Sequence, residues 1–191
     1  MDMSTRTGAA GRLAPLTPAD WVTVTRAAMG AGAAVLVVLS LVGVLPQRPW
    51  SLFLLLVPTF ALDAVDGAVA RRTNTVTRRG AMWDMEVDSA LLLIASLAVA
   101  PFAPWALAIG LMRYAFGIGG RLRPAWRGRL PFNQVRRVIA GFQAVALATA
   151  LAPFVPILLA QLVTGLAVAL LFFSFGRDIR YLERHDTAVP Q

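Results

Sequence analysis

The chain has 191 residues, 58% hydrophobic and only 15% charged, with no cysteine and one histidine. So little polar material cannot coat a water-facing globule, and the residue inventory excludes disulfides, thiolate chemistry, Cys-based zinc sites and His-centred triads. The net charge of +8 comes from 18 arginines without a lysine, clustered at the ends of apolar runs. That placement fits membrane topology and anionic headgroups, and no nucleic-acid partner is expected.

Residues 1–18 are small, polar and punctuated by Pro and Gly, and read as an arm lying on the membrane surface. The apolar stretch at 27–45 is too long for the core of a cleaved signal, so it reads as a retained span. Six hydrophobic segments follow one another, at about 21–45, 50–70, 80–100, 104–120, 132–152 and 155–175. Pro46 and Pro49, Pro101 and Pro104, and Pro153 and Pro156 punctuate three of the gaps. The expectation is an all-α membrane protein with six transmembrane helices in one domain at 19–184 and a short tail at 185–191. Arg48 stands alone at one set of segment ends, whereas Arg71, Arg72, Arg78, Arg79, the arginines of the 121–129 stretch and those of both termini crowd the other. The positive-inside bias therefore places both termini in the cytoplasm. Trp50 and Trp105 fall at the outer boundary, and Trp21 and Trp126 at the inner one.

Segments two and three contain five acids: Asp63, Asp66, Asp84, Glu86 and Asp88. A carboxylate in the bilayer costs several kcal/mol, so a set of this size demands a use. Asp63 and Asp66 are three apart and Asp84 and Asp88 four apart, so each pair shares one face of its helix, while Glu86 points elsewhere. Counted from the short loop that joins the two segments, Asp63 and Asp88 lie about 12 Å deep and Asp66 and Asp84 about 6 to 7 Å. Four carboxylates at two matching levels would repel one another and take up protons unless cations sit among them. Oxygen ligands without His or Cys select a hard ion, Mg²⁺ first, with Mn²⁺ or Ca²⁺ as alternatives. Gly67 and Gly80 clear space beside the acids, and Ala70 and Arg71 lie on the same face at its cytoplasmic rim, where a guanidinium can fork onto a phosphate. The stretch suits an anionic, metal-bridged group such as a pyrophosphate. Intramembrane acids also serve cation transporters, and that alternative stands on the acids alone.

Written out, the run is Asp63-x-x-Asp66-Gly67-x-x-Ala70-Arg71, eight residues, Gly80-x-x-x-Asp84-x-x-x-Asp88. It resembles the complete signature of the CDP-alcohol phosphotransferase (CDP-alcohol phosphatidyltransferase) family. At the start of the first segment the family's Pro-Asn-x-x-Thr-x-x-Arg pattern is met by Pro18, Thr23 and Arg26, with Asp20 in place of the Asn and Ala19 as an extra residue.

The resemblance implies a homodimeric, divalent-metal-dependent membrane enzyme that moves a phosphatidyl group from CDP-diacylglycerol to the hydroxyl of a small polar alcohol and releases CMP. It implies that Asp63, Asp66, Asp84 and Asp88 hold two Mg²⁺ (or Mn²⁺) ions, and that Asp88 is also the catalytic base. Asp20, Thr23, Gly67, Ala70, Arg71, Thr77 and Gly80 would surround the CDP-alcohol. Arg113 lies mid-span and needs an anion, so with Arg136 and Arg137 it is expected to bind the acceptor. This tilts the acceptor toward a phosphorylated alcohol, glycerol 3-phosphate or an inositol phosphate. The family's glycerol-phosphate branch shows Arg-Glu and a second Arg eight residues on; Arg113, Tyr114 and Arg121 lack that acid. The Ala- and Arg-rich, Lys-free usage points to a bacterial inner membrane, with the site facing the cytoplasm.

Overall fold

In the computed structural model the backbone is described for residues 18–73, 78–122 and 134–186, with the side chains of 18–20, 22, 63–73, 78–81, 120–121, 136 and 184–186 excepted. The described residues form six α-helices and no strand: α1 (Pro18–Leu41), α2 (Trp50–Thr73), α3 (Arg78–Val99), α4 (Leu107–Leu122), α5 (Gln134–Leu151) and α6 (Ile157–Asp186). A 3-10 turn at Pro104–Ala106 leads into α4.

The helix starts agree with the apolar runs, but two ends do not. The run expected to continue to residue 45 leaves the helix at Leu41. Gly43 takes a left-handed φ of 80°, its N–H bonds Ser40 O, and the Val44 N–H bonds Leu39 O. This is a Schellman cap, available because glycine bears no Cβ penalty there. At the other end of the chain, α6 continues through 175 to Asp186. Hydropathy falls at Arg177, but helicity does not, because charged residues at helical spacing propagate a helix in water.

α3 lies at the centre, packed against α1, α4 and α5; α2 packs on α1 and α5, and α6 lies along α5. The core is built largely from alanine and leucine, including Ala33, Leu56, Leu91, Ala95, Ala146, Leu147, Ala150, Ala160 and Ala167. Small residues bring the helix axes close, which is how helices associate when no hydrophobic force separates interface from surroundings. Gly30 fits this role against Leu91, and Gly32 meets Leu55.

Among the described residues, two helices contain stretches long and apolar enough to cross a bilayer, Thr23–Leu41 and Ile157–Glu183. Their outward side chains are apolar as well: Val35, Val38, Leu158, Leu162 and Phe173 are all more than half exposed. An exterior of this kind suits lipid rather than water. Asp84, Glu86 and Asp88 lower the hydropathy of α3, so the residues that mark the site also dilute the membrane signal of that helix.

Candidate active site

α1 and α3 present matched stripes to each other. On α1 the buried positions are Arg26, Gly30, Ala33 and Val37; on α3 the buried Leu91 and Ala95 continue the face that carries Asp84 and Asp88. These spacings of three and four residues are those of one helical face. Gly30 meets Leu91 and Arg26 meets the two aspartates, so the helices run in the same direction. A side chain on Gly30 would press on Leu91, its Cβ reaching 2.9 Å from Leu91 Cδ2, and glycine lets α1 approach closely just beyond the charged residues.

Arg26 is 1% exposed, and its guanidinium forks: Nη1 donates to Asp84 Oδ1 at 2.6 Å and Nη2 donates to Asp88 Oδ1. The two carboxylates remain 43% and 35% exposed. The cation thus comes from the protein interior, and the acids keep an open side. Two carboxylates one turn apart, turned toward a single positive centre, are an all-oxygen donor set of the kind that hard divalent ions take. Asp84 and Asp88 therefore fit the metal-binding role expected of them.

Glu86 lies off this face, as its spacing predicts, and is 61% exposed. It accepts a hydrogen bond from Arg113 Nη2 on α4 at 2.6 Å, so Arg113 has an anion partner within the chain itself. Thr23 is half-buried on the second turn of α1, and Arg137 is exposed on the first turn of α5. Asp63, Asp66, Gly67, Ala70 and Arg71 belong to α2, Gly80 to α3, Asp20 to α1 and Arg136 to α5, but their side chains lie outside the described residues, as does Thr77 altogether. No group of three or more His, Cys, Asp or Glu side chains gathers among the described residues, which include only two of the four aspartates of the motif.

From the sequence Arg26 stands only as a match to the family's first-segment pattern, with no role at the carboxylates. The signal was present, since an arginine eight residues into an apolar helix requires an anion at its own depth.

All-helical architecture, an apolar exterior and a carboxylate pair served by a buried arginine define a membrane protein with a polar centre on α3. The family model for CDP-alcohol phosphatidyltransferase matches residues 16–173, and the chain belongs to that family. The match takes in all of α1 to α5 and the greater part of α6. Members transfer a phosphatidyl group from a CDP-alcohol to an alcohol acceptor in lipid biosynthesis. No curated protein and no solved structure matches the chain significantly.

Proposed function

We propose that the chain is a multi-pass enzyme of the bacterial inner membrane that takes CDP-diacylglycerol as donor and a small polar alcohol as acceptor. Six spanning helices with both termini in the cytoplasm put the α2–α3 carboxylates beneath the inner headgroups. The diacyl tails then stay in lipid while the acceptor arrives from water. A phosphorylated acceptor, glycerol 3-phosphate or an inositol phosphate, is favoured by the arginines at 113, 136 and 137, and the working unit is a homodimer.

One observation carries this reading: Asp84 and Asp88, four residues apart inside the family motif, share one buried guanidinium. Asp63, Asp66, Asp84 and Asp88 would hold two divalent ions, Mg²⁺ or Mn²⁺. When bound, such ions neutralise charge on the donor pyrophosphate. Asp88 accepts the proton of the acceptor hydroxyl as its oxygen attacks the β-phosphorus. The bond from that phosphorus to the CMP oxygen breaks, and CMP leaves with the electron pair. Arg71 and Thr77 steady the nucleotide phosphates and Arg113 the acceptor.

The test is purified protein with CDP-diacylglycerol, Mg²⁺ and a panel of acceptor alcohols, with CMP followed by mass spectrometry. Acceptor-dependent CMP that disappears with EDTA is expected. No CMP with any acceptor, together with nucleotide-independent Mn²⁺ flux into liposomes, would replace the enzyme with a cation transporter.

A further inference from the structure

The transfer chemistry outlined above does not call on Arg26, yet Arg26 holds two of the residues that perform it. A guanidinium at 1% exposure has left water completely and must have anions around it. It has them on α3, where its planar fork spans two carboxylates one turn apart. An ammonium could not bridge them in this way, and a guanidinium never deprotonates to release them.

We propose that Arg26 is the resident counterion of the α3 carboxylates, competing with divalent cations for Asp84 and Asp88, so that its charge sets how tightly the site takes a metal. The inference rests on the proposed function, in which those aspartates are metal ligands. The exposures give the direction of the contest. Asp84 and Asp88 are open on one side and Arg26 is enclosed behind them, so a cation arriving from the open side meets carboxylates already neutralised from within. Two positive centres drawing on the same two carboxylates repel each other, and the fixed one weakens the mobile one. Metal alone therefore binds loosely. A nucleotide pyrophosphate adds negative charge on the open side and restores affinity, so metal and donor bind cooperatively, each strengthening the other by the same factor.

The experiment is Mn²⁺ binding, read by electron paramagnetic resonance of free Mn²⁺, on the purified full chain in detergent with and without CDP. Wild type, R26Q, R26K and D84N are compared. D84N should lose binding. Without nucleotide, R26Q should bind Mn²⁺ at least tenfold more tightly than wild type, R26K should fall between them, and CDP should improve wild type more than R26Q. An arginine that merely clips α1 to α3 predicts the opposite sign, because loosening the helices would scatter the ligands. Equal or weaker binding in R26Q, while D84N still abolishes binding, overturns the counterion role and leaves the metal reading standing. Binding indifferent to D84N overturns both. Should R26Q fail to fold, R26M, which also removes the charge but keeps an unbranched stem, carries the same test: tighter binding than wild type supports the role, and unchanged or weaker binding overturns it.

Discussion

Arg113 on α4 donates to Glu86 on α3 across 2.6 Å, an ion pair that joins two helices on the side of α3 away from Asp84 and Asp88. Both partners are more than a third exposed, so the pair contributes little to stability, within about 1 kcal/mol. Its meaning is different if Arg113 serves an acceptor phosphate, because the guanidinium must then leave Glu86 to do so. Glu86→Gln removes that competitor. The expected outcome is a several-fold lower KM for a phosphorylated acceptor with an unchanged melting temperature, and Arg113→Ala should raise the same KM. Initial-rate kinetics against acceptor concentration decide it; an acceptor KM indifferent to both substitutions removes Arg113 from the acceptor site.

The starts of α2, α4 and α6 were legible because a pair of prolines precedes or opens each of those runs. The helix ends were less so, since hydropathy says nothing of the left-handed glycine at 43 or of the charged turns that extend α6. At the site, the shared face of Asp84 and Asp88 follows from spacing alone. The partner of that face does not, because Arg26 lies 58 residues from Asp84 in sequence, and periodicity within a helix does not say which other helix it meets. The pairing of Arg113 with Glu86 escaped the sequence for the same reason.

Asp88 carries two loads in the proposed reaction, as proton acceptor and as one prong of the Arg26 fork. Asp88→Asn should therefore lower CMP release by at least about a hundredfold, the usual worth of a positioned base. It should also lower the melting temperature, because the buried guanidinium keeps only part of its anionic surroundings. Retained binding of CDP-diacylglycerol would separate the chemical loss from a collapsed site. Near-wild-type turnover would assign the base elsewhere.

Arg48, the one arginine at the opposite set of helix ends, is a structural clamp. It donates through Nη1 to Val155 O at 2.8 Å and through Nη2 to Ala152 O, just past the end of α5, and lies 5.6 Å from the centre of the Phe102 ring. Three loops are thereby tied together, and the cation sits where the α5 dipole favours it. Burial lowers its pKa from the ordinary arginine value, but a guanidinium stays charged across any accessible pH, so the clamp is not pH-sensitive. Arg48→Ala should cost about 1–3 kcal/mol through the lost charge-assisted bonds. Thermal unfolding in detergent checks the loss, and specific activity at low temperature should match wild type.

Gly110 and Gly141 both lie in helices, and the structure gives them opposite responses to the same substitution. A Cβ on Gly110 would fall 2.6 Å from the Leu93 Cα and against Ser96 Oγ, whose hydroxyl donates to Leu93 O at 2.8 Å. The obstacle is backbone, which cannot rotate aside, so α4 must move off α3. Gly110→Ala should cost about 1–3 kcal/mol, the usual effect of overpacking a close contact. Because α3 carries Asp84 and Asp88, the shift should reduce CMP release as well. A Cβ on Gly141 meets nothing within 4 Å, so Gly141→Ala should be neutral or stabilising by up to about 1 kcal/mol from helix propensity. Melting temperatures of the two variants, measured side by side, test the packing of α4 on α3: equal shifts would mean that these helices lie farther apart than described.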